Sequence, residues 1–409
     1  MPSRPAMLSA HFEPPSAHVP RLLYIYPETM GLSPDPDKNP LHYLSAYLQG
    51  DYLAIWVVDD AATARRKALE GRRANGRFRF HWTRIHRIPF GLRRVWELMF
   101  WIGKGVGLSM KHGRYDVVVV YGAYSTALAG LAIRLLTGAR LIVEFPGHPF
   151  RTYDLYPGWT YRVKRWLAPH WTRYIASTAD HVRLLFPTQI DDLDIDVSGK
   201  TSVFHNFTRL TTVRAESASS AANEKYVLFL GFPFHLKGVD VLIRAFNIIS
   251  ADFPKHRLLI VGHCPDPAPY QALVKGNPRI EIRPPVPHDE AMRLVAHCSV
   301  FVLASRIEGM ARVLLEAMGA GRPVISSAVG GIPYYVEHGR TGLLFESENV
   351  QELASHLARL LSDREYAEAL GARARAHVEQ NLTEERYAER FRQMVDRVLS
   401  AGQTSAADE

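Results

Sequence analysis

The stretch from Tyr115 to Phe145, YDVVVVYGAYSTALAGLAIRLLTGARLIVEF, sets an apolar strand-like run, an Ala/Leu-rich helical run and a second apolar run in immediate succession. That order forces a right-handed parallel crossover, the unit from which doubly wound sheets are built. Upstream, RLLYIY at residues 21–26 ends at Pro27 and Gly31 and predicts a buried first strand. A helix from Leu41 to Leu48 fits next. Residues 211–224, TTVRAESASSAANE, lose nearly all large apolar side chains and have linker composition. The alternation then resumes as strand YVLFLG, helix VDVLIRAFNII, strands HRLLIVG and RIEIRPP, helix DEAMRLVAHC, strand SVFVLAS, helix VLLEAMGAG and strand RPVISS. A chain of 409 residues is long enough for two such cores. The expected plan is a disordered tail over 1–20, one α/β domain over 21–210, the linker, and a second α/β domain over 225–385. A helix over 386–400 is expected to cross back, and residues 401–409 to be disordered. Open parallel sheets bind ligands at the carboxyl ends of their strands, so the site is expected in a cleft between the domains.

Charge adds a second constraint. The formal charge of +8 is concentrated: residues 61–115 hold fourteen Lys or Arg against two acids, Glu70 and Glu97. This asymmetry calls for an anionic partner. Phe78, Phe80, Trp82, Phe90, Trp96, Phe100 and Trp101 interleave with the basic residues, which suits an anionic membrane surface or nucleic acid. The competing reading packs these aromatics in the core. The apolar run Val95–Leu108, broken by Glu97 and Lys104, is shorter than the roughly 20 residues that span a bilayer. It is expected to lie on a membrane. No apolar segment occupies the first twenty residues, so a cytoplasmic chain, peripheral at the inner membrane face, is expected. Cys264 and Cys298 have no paired spacing and are expected to be reduced.

The strongest chemical signal is SRIEGMARVLLE, Ser305 to Glu316, a strand end, a Gly-containing turn and a helix. A helix start presents unpaired amides and a partial positive charge, so the N–H groups near Gly309, Met310 and Ala311 suit a diphosphate. An ionised carboxylate accepts hydrogen bonds from two adjacent hydroxyls. Glu308 in the turn is therefore placed to hold a sugar, and Glu316, roughly two helical turns on, to hold a ribose diol. Paired acids at Asp35/Asp37 and Asp194/Asp196 have the spacing of a divalent-metal site. Pro36 divides the first, and the second follows Asp191 and Asp192 in a loop that reads as solvated, so no metal is expected.

Residues 226–346 resemble the nucleotide-sugar domain of glycosyltransferase family 4, the retaining group 1 enzymes of GT-B fold. The resemblance rests on Glu308 and Glu316 as an E-x7-E motif and continues through GAGRPVISSAVGGIP and HGRTGLLF. It extends loosely to the first domain through residues 115–148. It implies a metal-free, cofactor-free transfer of a hexosyl group from a UDP-, GDP- or ADP-linked donor to a glycan or lipid-linked acceptor, with no nucleic acid as partner. LGFPFHLKGVDVLIRAF, residues 230–246, is similar to the family's glycine-rich turn, which implies donor contacts for Gly231, Lys237 and Gly238. Lys237 is then expected to meet the phosphates as charge builds on the leaving group. His148, after LIVEF and Pro146-Gly147, matches the family's loop histidine and is expected to bond a sugar hydroxyl or the acceptor. Gly31 is expected to let backbone approach the sugar, and Val286 to present backbone to the base. The catalytic group is thus His148, Lys237 and Glu308. The chain departs from the pattern at Phe232, where the family has arginine, at Ala311, where it has glycine, and at Tyr334, where it commonly has glutamate. Arg312 is expected to replace the missing cation. Two rival readings share the features: a nucleotide-sugar 2-epimerase of the same fold, and a non-catalytic nucleotide- or nucleic-acid-binding module, which a steep salt dependence would reveal.

Overall fold

A computed structural model describes residues 19–26, 44, 45, 47–56, 73, 74, 77–84, 90–207 and 225–405. The tail over 1–18, Gly31, the pair Asp35/Asp37, most of the expected 41–48 helix, much of 61–89 and the linker 211–224 lie outside the described residues. The chain divides into two units, one of Met1–Val120, Leu128–Leu141 and Val395–Glu409, the other of Tyr121–Ala127 and Ile142–Met394.

In the first unit, β1 (Arg21–Tyr26) lies between β2 (Gln49–Trp56) and β5 (Val117–Tyr121), parallel to both. Strand β4 (Phe78–Arg84) pairs parallel with β2, and the two-residue β3 (Arg73–Ala74) pairs antiparallel at the edge. Helix α1 (Phe90–His112) precedes β5, and α2 (Ser125–Thr137) joins β5 to β6 (Arg140–Glu144), the crossover expected from the sequence. Leu22, Leu23, Ile25 and Val117 to Val120 are buried, as an all-parallel strand covered on both faces requires.

The aromatic belt needs correction at three positions. Phe78, Phe80 and Trp101 are buried in the core, because alternation along β4 turns Phe78 and Phe80 inward. On the other face of that strand, Arg79 makes a two-pronged bond to Asp51 (2.9 Å and 2.9 Å), and His81 Nε2 lies 2.7 Å from the same carboxylate. Tyr115 donates its hydroxyl to Asp51 at 2.7 Å. Burial alone would raise the Asp51 pKa, but the His81, Arg79 and Tyr115 hydrogen bonds outweigh it and hold the group at about 2, below its ordinary 3.8. A depressed carboxylate stabilises the fold above its ordinary pKa and loses that contribution as pH falls through the folded value. The loss here is about 2 kcal/mol. Urea unfolding followed downward from about pH 5 should show this decline, and Asp51→Asn should flatten it.

In the second unit, β6 pairs parallel with β7 (His181–Leu184), and β7 with β8 (Thr201–Val203). Helix α3 (Trp159–Thr178) lies between β6 and β7 in the chain. A separate six-stranded sheet has the order β11-β10-β9-β12-β13-β14, every pair parallel. Its strands are β9 (Lys225–Leu230), β10 (His256–Val261), β11 (Ile280–Arg283), β12 (Val300–Leu303), β13 (Val324–Ser327) and β14 (Leu343–Phe345). The connecting helices are α4 (Val239–Ile249), α5 (Ala268–Val274), α6 (His288–His297) and α7 (Arg312–Gly319). Leu228, Phe229, Val302 and Ile325 of the sheet join Leu242 and Phe246 of α4 and Leu314 and Leu315 of α7 in one core.

Three helices close the chain: α8 (Val350–Ser362), α9 (Arg364–Asn381) and α10 (Glu384–Ser405). Asn349 and Asp363 cap the first two, accepting from the amides of Glu352 and Tyr366. Residues 401–405, expected to be disordered, continue α10 as helix. Both cysteines are free, and burial pushes the Cys298 thiol up to about 12. Among the described residues no helix is long and apolar enough to cross a membrane.

Candidate active site

Two strand ends of the second unit build the site. After β9 the chain turns through Gly231 to Lys237 and Gly238, whose left-handed φ of 61° starts α4. After β12 it turns through Ser305 to Ala311 and enters α7. The turns meet where the Lys237 ammonium pairs with the Glu308 carboxylate, both side chains being mostly buried. Ser305 Oγ donates to the same carboxylate oxygen at 3.3 Å. Gly231 lies beside the lysine stem, its Cβ position 3.7 Å from Lys237 Cγ.

Arg306 fixes the spacing of these turns. Its guanidinium makes a two-pronged bond to Asp240 of α4 (3.0 Å and 2.8 Å), donates to the His235 carbonyl, and pairs with Glu348 at 2.8 Å. Burial would raise the Asp240 pKa, but the Arg306 hydrogen bond outweighs it and keeps the carboxyl below its ordinary value. Two glycines set the shape around Glu308. A Cβ on Gly330, where φ is +54°, would fall 1.7 Å from the Glu308 carbonyl oxygen. A Cβ on Gly309 would fall 2.6 Å from the Pro146 carbonyl oxygen, so only glycine lets this turn approach the loop that carries His148.

Between them lies a cavity of about 610 Å³, of the size that takes a small ligand, lined by His148, Arg151, Phe186, Asp192, Arg306 and Glu308 among others. His148 Nδ1 accepts the Arg151 backbone N–H at 3.2 Å, which leaves the ring proton on Nε2, 3.2 Å from Asp192. Burial lowers the His148 pKa, and Asp192 opposes this only in part, so the imidazole is neutral at pH 7. Phe186 stacks on Tyr334 at 5.7 Å, and the Tyr334 hydroxyl lies 2.9 Å from Thr188 Oγ1.

Other expected residues are spread along the same elements. Glu316 is half-buried on α7, and loss of water around it raises its pKa from 4.5 to about 7, with Arg312 one turn earlier pulling the other way. Arg312 is exposed. The three turn amides are not equivalent, since the Ala311 N–H already donates to the buried Tyr335 hydroxyl at 3.2 Å. The expectation that this amide stands open to a phosphate is corrected on that ground. Met310 is also engaged, its Sδ accepting from the Asn206 amide at 3.0 Å. Val286, past β11, packs against the core of the second unit.

Asp192, Arg151 and Arg306 have no counterpart in the sequence reading. Asp192 sits in the loop read as solvated, yet it holds His148 and the Arg151 guanidinium (3.2 Å). A signal for Arg306 was present, since an arginine beside the Glu308 turn faces Asp240 on the helix begun by Lys237-Gly238.

A family model described as glycosyl transferases group 1 matches residues 213–377, and one described as a glycosyl transferase 4-like domain matches residues 49–197. The chain belongs to glycosyltransferase family 4, the group 1 glycosyltransferases. Among relatives of the chain, sulfoquinovosyl transferase SQD2 of Arabidopsis thaliana is 32% identical over 145 residues, 35% of this chain and 28% of that protein. D-inositol 3-phosphate glycosyltransferase of Nocardia farcinica is 30% identical over 218 residues, 50% of this chain and 48% of that protein. The matches thus span about half or less of these curated relatives. Sucrose-phosphate synthase from Thermosynechococcus elongatus superposes with a TM-score of 0.73 at 20% identity, covering 93% of this chain and 100% of that one. Anabaena HepE in complex with UDP-glucose gives 0.65 at 17% identity, with 93% and 99% covered. The fold of the chain is GT-B, two α/β sheets, parallel but for the edge strand β3, with their helices.

Proposed function

We propose that this chain is a retaining glycosyltransferase that moves a hexosyl group from a nucleotide diphosphate sugar to a hydroxyl acceptor, without a metal ion. The observation that carries the reading is the Lys237–Glu308 pair at the strand ends beside the cavity. A donor diphosphate exchanges with Glu308 for the lysine, and Glu308 is then released toward the sugar hydroxyls. The glycosidic C–O bond breaks first. Charge on the departing diphosphate is met by Lys237 and the amides of Gly309 and Met310 in a water-poor turn. The acceptor hydroxyl attacks the same face, and a donor phosphate oxygen takes its proton, so the configuration is retained. Neutral His148 donates a hydrogen bond from its Nε2–H to a sugar hydroxyl oxygen when it exchanges Asp192 for substrate.

The uridine series is the favoured donor, because the HepE structure of the same fold holds UDP-glucose. The two relatives described above carry different compounds in their names, one a sulfoquinovosyl group and the other D-inositol 3-phosphate, so the acceptor follows from this chain's own surfaces. We assign it to a glycan or lipid-linked alcohol at an anionic membrane face, reached through residues 61–115, where Leu92, Val95, Met99 and Met110 of α1 are exposed beside Lys104 and Lys111. A thermal-shift screen of UDP-, GDP- and ADP-sugars tests the donor: the cognate one at about 100 times its Kd adds about 2.7 kcal/mol of stability. A flat response to all three would overturn the reading.

A further inference from the structure

Helix α3 is amphipathic the wrong way round for a helix that only packs. Its Ala168, Thr172, Ile175 and Ala176 are buried, forming the inward face. On the opposite face Trp159, Val163, Trp166, Leu167 and Tyr174 are exposed, the two tryptophans by 75% and 68%. Spacings of four, three, one and seven residues put all five on one stripe about 100° wide. Large apolar side chains in such a row mark an interaction surface rather than chance exposure.

The charge on the helix selects the partner. Its twenty residues contain Arg162, Lys164, Arg165 and Arg173 and no acid. Arg162 and Lys164 are exposed on either flank of the stripe. Arg165 is 4.0 Å from Asp154, and Arg173 bonds the Leu193 carbonyl at 2.8 Å. Tryptophan and tyrosine seat at the headgroup level of a bilayer, and flanking cations meet anionic lipid. A second copy of this helix would set like charges against each other, so self-association is disfavoured.

We propose that α3 is a membrane-docking helix, lying in the interface of an anionic bilayer along its length of about 30 Å. This deepens the membrane reading given above and rests on it, but it uses a different helix in a different unit. The test is co-sedimentation of the full chain with phosphatidylglycerol/phosphatidylcholine vesicles, with tryptophan emission read in parallel. The wild type should bind with a blue shift, and Trp159→Ser/Trp166→Ser should weaken binding about tenfold or more while its donor-induced thermal shift is unchanged. Arg162→Glu/Lys164→Glu should weaken binding to anionic vesicles. Binding by the tryptophan variant equal to wild type, with Leu92→Ser/Met99→Ser defective, would overturn the role of α3 and leave the membrane reading standing. A wild type that ignores vesicles, or one that forms a dimer lost in the tryptophan variant, would overturn it as well.

Discussion

Lys237→Ala should lower kcat about 10²- to 10³-fold, the cost of roughly 2.7–4 kcal/mol that attends loss of one preorganised donor at a developing anion. The lysine is mostly buried against Glu308, and its loss leaves that carboxylate without its cation. The defect should therefore fall on kcat more than on the donor KM, since the contact strengthens as the leaving group gains charge. Steady-state kinetics with the donor found by thermal shift reads both. A variant with wild-type kcat would remove Lys237 from catalysis. Arg312→Ala, measured alongside, decides whether that exposed residue serves the phosphates: unchanged kcat and KM would exclude it.

Glu316→Gln should move stability and donor binding in opposite directions. The carboxyl pKa is raised from 4.5 to about 7 by loss of water, so the fold favours the protonated form. The stabilisation of a raised acid is complete below its ordinary pKa and is lost as pH rises through the folded value. The loss over that window is about 3 kcal/mol. The amide has no proton to lose, so near pH 8 the variant should exceed the wild type in urea stability by up to about that amount, and by little near pH 4. If the ionised group bonds the ribose diol, the donor KM should rise about 10- to 100-fold, from a charged hydrogen bond worth roughly 1.5–3 kcal/mol. The wild type's affinity for the donor should also fall as pH drops below 7, since binding must then strip a proton. Equal stability of the two proteins near pH 8 would deny the carboxyl its penalty, and an unchanged KM would deny it the ribose.

The centre of the second sheet was legible because the runs YVLFL of β9 and VFVL of β12 are short, apolar and buried. Helix α4 could be read residue for residue from its apolar face, Val239 through Ile249. Helix α9 was missed because Ala367, Gly371 and Ala374 form much of its buried side, leaving no stripe of large apolar residues to find. Helix α3 misleads in the other direction, with small residues inside and tryptophans outside. At the site, Lys237 and Glu308 are announced by the residues beside them in the chain. The His148–Asp192 pair is not, because its members stand 44 positions apart and the acid lies in a run of aspartates that composition alone assigns to water.

The four hydrogen bonds and the ion pair made by the Arg306 head have a mechanical meaning. It rivets three pieces of chain, the His235 carbonyl, the Asp240 carboxylate and Glu348, to the turn that bears Glu308. A guanidinium so fully spent has no valence left for a ligand, although it borders the cavity. Its work is metrology: the gap between ammonium and carboxylate is cut to length during folding, and an incoming diphosphate meets a gauge already set.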